Sequence, residues 1–117
     1  MIKIDFLQKI NLYVNLLKNG LLMQLNEFMK SIKEEAPPEG LSEPLQAMWH
    51  AQKGDWETAH NITQSISTEL GFWIHAYLHR VEGDLSNAGY WYKRAGKPQF
   101  NGSTETEADE IFNSIFK

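Results

Sequence analysis

The stretch "GDWETAH" at residues 54–60 returns as "GDLSNAG" at 83–89, and this echo limits what the chain can fold into. A shift of 29 positions, the interval from Gly54 to Gly83, places Leu45 on Ile74, Ala47 on Ala76, Met48 on Tyr77 and Trp49 on Leu78. It also places His50 on His79, Asp55 on Asp84, Trp56 on Leu85 and Ala59 on Ala88. Five pairs are identities and most of the others exchange apolar for apolar. A fixed period of this size marks one supersecondary unit used twice, each copy burying its apolar face on the next.

Each unit reads as helix, tight turn, helix. Gly54 or Gly83 closes the first helix in the left-handed conformation, and Asp55 or Asp84 caps the second. So short a turn forces the two helices antiparallel. Ala59 and Ala88 fall one turn into the second helix, where a small side chain allows axes about 8 Å apart.

The flanks carry matching punctuation. "PPEG" at 37–40 breaks the chain, and Ser42 then caps a helix that tolerates Pro44 in its first turn. Ser67 or Thr68 caps the next unit, Gly96 ends it and Pro98 blocks its extension. "TETE" at 104–107 reads as a capping box of Thr104 with Glu107. It precedes a helical stripe of Ala108, Ile111, Phe112, Ile115 and Phe116. Leu25, Phe28, Met29 and Ile32 form another stripe, and Phe6, Ile10, Tyr13, Val14 and Leu17 one more. The expected fold is all-α, seven helices without a strand: stacked antiparallel hairpins with flanking capping helices. The units span about 42–67 and 70–97, and the C-terminal cap about 104–116. These belong to a domain at 23–117, preceded by a helical extension at 1–22.

Composition narrows the function. A net charge of −4 with no Lys/Arg-rich run argues against nucleic acid. The chain has no cysteine, so disulfides, thiolate metal sites and cysteine nucleophiles are excluded. The opening "MIKIDFLQKINLYVNLLKNG" lacks the form of a secretory signal, and no apolar run approaches the roughly 20 residues of a membrane span. The sequons at Asn61 and Asn101 are read as chance, and the expected compartment is the cytoplasm. No Gly-rich phosphate loop, paired-carboxylate motif or Ser–His spacing appears.

"AMWHAQKGDWETAHNI" and "AYLHRVEGDLSNAGYWYKRAGKP" resemble tetratricopeptide repeats. The second unit carries the pattern at Ala76, Gly83, Asp84, Ala88, Tyr92, Ala95 and Pro98. The first carries it at Ala47, Gly54, Asp55 and Ala59 but has Thr63 and Ile66 in place of the aromatic and the last alanine, and the family's period is longer. The run from Leu25 to Pro98 also resembles a group of small bacterial proteins of unassigned function that share "HAYLHR-EGD-NA-YWY-RAG". The resemblance implies a scaffold whose first helices line a concave face holding a peptide or another protein.

On the helix "FWIHAYLHRVE", Ile74, Tyr77, Leu78 and Val81 gather on one side, and His75, His79 and Glu82 on another. Stacking would bring His50 to the same side, and with the first helices lining the concave face, as the resemblance implies, His50, His75, His79 and Glu82 would face one groove. A solvated polar stripe ranks first for this face, polar ligand or peptide binding second. A metal site on His75 and His79, with a carboxylate completing three ligands, ranks last, because such i, i+4 pairs often arise without metal, and "HAYLH" has no general base between the ligands. On the helix that contains "GYWYKRAG", 89–96, Leu85, Ala88, Tyr92 and Ala95 are the expected core face. Tyr90 and Arg94 lie opposite, a composition typical of interface hot spots. The competing and preferred reading packs Tyr90 and Trp91 under the C-terminal helix. His60 is expected to be a satisfied core histidine, and Trp49, Trp56 and Trp73 to be packing residues. The expected function is a small interaction module for a protein or peptide, or for self-association, more a binder than an enzyme, without cofactor, nucleic acid or membrane. The alternative is a metal- or ligand-binding protein or enzyme using the histidine face.

Overall fold

The computed structural model describes Leu7 and residues 25–116. The extension expected at 1–22 falls, Leu7 aside, outside the described residues. Among these there are six helices and no strand: α1 (25–31), α2 (Glu43–Gln52), α3 (Trp56–Thr63), α4 (Glu69–Val81), α5 (Leu85–Arg94) and α6 (Thr104–Ile115). None of the described helices is long and apolar enough to cross a membrane.

The repeated turn is the same device twice. Gly54 and Gly83 adopt φ of +84° and +86°. Gly54 N–H donates to Ala51 and Asp55 N–H to His50; Gly83 N–H donates to Arg80 and Asp84 N–H to His79. This paired closure satisfies the last carbonyls of α2 and α4. The aspartates at once serve the next helix, Asp55 Oδ1 accepting from Thr58 N–H at 3.2 Å and Asp84 Oδ1 from Asn87 N–H at 3.1 Å. Ala47, Ala59, Ala76 and Ala88 are all fully buried, as close helix contact requires.

α4 is the central element, packed against α2, α3, α5 and α6. Ile74, Ala76 and Leu78 are wholly enclosed. Trp56 pins α3 to it by donating from Nε1 to the Leu78 carbonyl at 2.6 Å. Thr68 caps α4 by accepting from Gly71 N–H. Gly71 itself has no room for a side chain: a Cβ would stand 2.5 Å from Ile66 Cγ2 and 2.6 Å from the Ile66 carbonyl oxygen. α6 lies on α4, and its Phe112 ring sits 5.3 Å from Phe28 of α1.

Four expectations need correction. Leu85 is 55% exposed and Val81 is also exposed, because both flank the turn after α4; the buried face of α5 is Ala88, Tyr92 and Ala95. Trp56, the counterpart of Leu85, is partly covered because α4 lies on it. The cap of α6 is Ser103, accepting from Thr106 N–H at 3.0 Å, and not Thr104. Glu107 therefore takes no part in a capping box. Tyr90 and Trp91 do not pack under α6, whose apolar stripe is taken up by α4 and α1: Tyr90 is exposed, and Trp91 lies against Phe72 and His75.

Glu107 is the most deeply buried charge among the described residues, at 0% exposure. Its Oε1 accepts from Arg80 Nη1 at 2.8 Å, and its Oε2 accepts from Trp73 Nε1 at 3.1 Å and from the Tyr92 hydroxyl. Arg80 also donates to the Gly102 carbonyl. A buried carboxylate is tolerable only when paired and hydrogen-bonded, and these partners join α4, α5 and α6. Burial and the adjoining carboxylate push the Tyr92 hydroxyl pKa up, so it stays a donor.

Candidate histidine centre and adjoining aromatic cleft

α4 carries His75 and His79 one turn apart, on the side that would face water in an isolated helix. Here α3 and α5 cover that side, and the two are only 3% and 4% exposed. They are not a solvated stripe. α3 contributes His60, whose Nε2 stands 2.9 Å from His75 Nε2. The His60 ring centroid lies 4.6 Å from that of His75 and 5.2 Å from that of His79. Trp91 of α5 stacks on His75 at 3.8 Å and 11°, and Trp56 stacks on His60 at 4.6 Å and 10°. Two histidines from one helix and one from its neighbour are thus held between two indoles.

Burial pushes the His75 imidazole down to about 4, with His60 and His79 adding to the effect through charge repulsion. His60 is lowered too, by burial and then by His79, against an opposing pull from Glu82. A close His60–His75 contact needs one nitrogen to donate and the other to accept. His79 Nδ1 lies 2.8 Å from Glu82 Oε1. A carboxylate only accepts, so Nδ1 carries the proton and Nε2 is the nitrogen left to face the other two rings. One ring nitrogen from each of His60, His75 and His79 lies within 4.8 Å of the other two.

Adjoining the Trp91–His75 stack is a cleft of about 280 Å³, lined by Thr63, Gln64, Phe72, His75, Trp91 and Arg94 among others. The Arg94 guanidinium lies 4.8 Å from the Phe72 ring centroid and 5.4 Å from that of Trp91. It donates to the Tyr90 hydroxyl at 3.4 Å, a long contact that leaves its charge available at the surface.

The structure therefore divides the six sequence candidates. His79 and Glu82 belong to the histidine centre, Arg94 to the cleft, and His75 to both; Tyr90 does not line the cleft and stands beside it, against Arg94 and Trp91. His50 joins neither: it sits on the edge of Trp49 and pairs with Asp55 at 3.8 Å. His60 is satisfied as expected, but by another histidine rather than by the apolar core. Its i, i+4 spacing from Trp56 was visible, but its approach to α4 was not, because the 29-residue shift sets it against Gly89 and no repeat marks it. The chain matches no family model, and no curated protein or solved structure matches it.

Proposed function

We propose that this protein is a small tetratricopeptide-like interaction module that holds an acidic peptide segment of a partner protein. In this reading α2–α3 and α4–α5 are stacked antiparallel repeats flanked by α1 and α6, and the setting is the cytoplasm. The repeated Gly-Asp turns and the packing of α4 on both α2 and α3 support the stack. The observation that carries the function is Arg94, held over Phe72 and Trp91 at the mouth of the cleft. A guanidinium beside half-buried aromatic rings suits a carboxylate flanked by an apolar side chain.

Selection of binders from a displayed peptide library tests the reading. Acidic sequences should emerge, and their affinity should fall at least about tenfold in Arg94→Ala and Trp91→Ala, the range of hot-spot truncations. Binders that ignore both substitutions, or a library that yields none, would overturn it.

A further inference from the structure

The three histidines do more than fill space. We propose that His60, His75 and His79 form a site for a divalent transition-metal ion, zinc by coordination preference, with a fourth position left for water or a ligand. This stands apart from the cleft reading. His75 and His79 alone, one turn apart on α4, would make a weak two-nitrogen site. His60 reaches across from α3 and supplies the third ligand, and three imidazoles are a complete protein set for an open zinc site.

The distances fit. Two nitrogens on one tetrahedral zinc, each at about 2.1 Å, stand about 3.4 Å apart. His60 and His75 are already at 2.9 Å, and the largest separation in the set is within 4.8 Å. Small ring rotations close the remainder. The surroundings fit as well. His79 donates Nδ1–H to Glu82 and presents Nε2, the carboxylate–histidine arrangement that orients zinc ligands and raises their basicity. Trp91 and Trp56 fix two of the rings face-on. His60 is only half-buried, which provides an entry path. With no cysteine in the chain, imidazole is the softest strong ligand on offer, and it suits zinc, copper and nickel.

A rival set exists at His79, Glu82 and Asp84. Its two carboxylates are exposed, and both are engaged, Glu82 with His79 and Asp84 with the α5 cap.

The test titrates chelator-stripped protein with zinc against a chromogenic chelator and uses cobalt(II) as a spectroscopic probe. One equivalent should bind, and cobalt should give the intense visible bands of a four- or five-coordinate ion. Glu82→Ala, at an exposed position, should weaken binding about 10–100-fold. His60→Gln, half-buried and so expected to fold, should weaken it further, because ligand count sets affinity. Asp84→Asn keeps the helix cap and should leave affinity unchanged. Far-UV circular dichroism reports that each variant is folded. Binding weaker than about 100 μM, binding that survives His60→Gln, or binding lost in Asp84→Asn would each overturn the proposal.

Discussion

Replacing Glu107 by glutamine should destabilise the protein far more than its small change of shape suggests. The carboxylate is fully enclosed and receives three donors: Arg80 on one oxygen, Trp73 and Tyr92 on the other. Glutamine has a single acceptor oxygen. Its NH₂ must point either at the Arg80 guanidinium or at the Trp73–Tyr92 pair; the Tyr92 hydroxyl can turn to accept, but the guanidinium and the Trp73 indole only donate, so one donor is left facing another. A buried donor left unpaired costs about 1–3 kcal/mol, and more when it is charged. We therefore expect a loss of about 2 kcal/mol. For a domain of this size each kcal/mol moves Tm by about 4–8 °C, so thermal melting followed by circular dichroism should show a fall of roughly 8–16 °C. Glu107→Ala should cost more, about 3–5 kcal/mol, because it strands the Arg80 charge. Tyr92→Phe removes one competing donor, so its effect and that of Glu107→Gln should not add. The coupling expected between groups sharing one network is at least about 0.5 kcal/mol. Glu107→Gln within about 0.5 kcal/mol of the parent, the range of an ordinary surface change, would refute the view that this carboxyl group holds α4, α5 and α6 together.

Three further outcomes are expected. Ala88→Leu should overpack the α4–α5 contact and lower stability by about 1–3 kcal/mol in denaturant titration, since Ala88 has no exposed surface. Gly71→Ala would gain up to about 1 kcal/mol of helix propensity in open space. Here the new Cβ would meet the Ile66 carbonyl oxygen at 2.6 Å, so a net loss in Tm is the expected result. Acid should weaken the fold through His75, whose imidazole falls from its ordinary 6.5 to about 4 on burial. A lowered histidine pKa means the unfolded chain binds the extra proton first, so stability is unaffected above about 6.5 and declines as pH falls toward 4. The full effect is about 3 kcal/mol, His60 acts in the same direction, and urea midpoints measured from pH 7.5 to 4 should flatten in His75→Phe.

The local units of this fold were legible in the sequence because their causes are local. Gly54–Asp55 and Gly83–Asp84 carry their geometry in two adjacent residues, one able to adopt positive φ and one able to cap, and the structure repeats that geometry at both turns. The buried alanines 47, 59, 76 and 88 followed from the same spacing. What lay beyond reach depended on which helix covers which face. The His75–His79 side of α4 has the polarity of a wet stripe, and only the placement of α3 and α5 makes it interior. Glu107 stands where a capping residue would serve, yet starting α6 one residue earlier, at the Ser103 cap, puts it inside, where Trp73, Arg80 and Tyr92 converge. His60 and Trp91 come from helices separated in sequence from the histidines they touch. Periodicity reports how a helix divides its faces; which face meets a neighbour is settled by tertiary packing, and there the histidine centre was made.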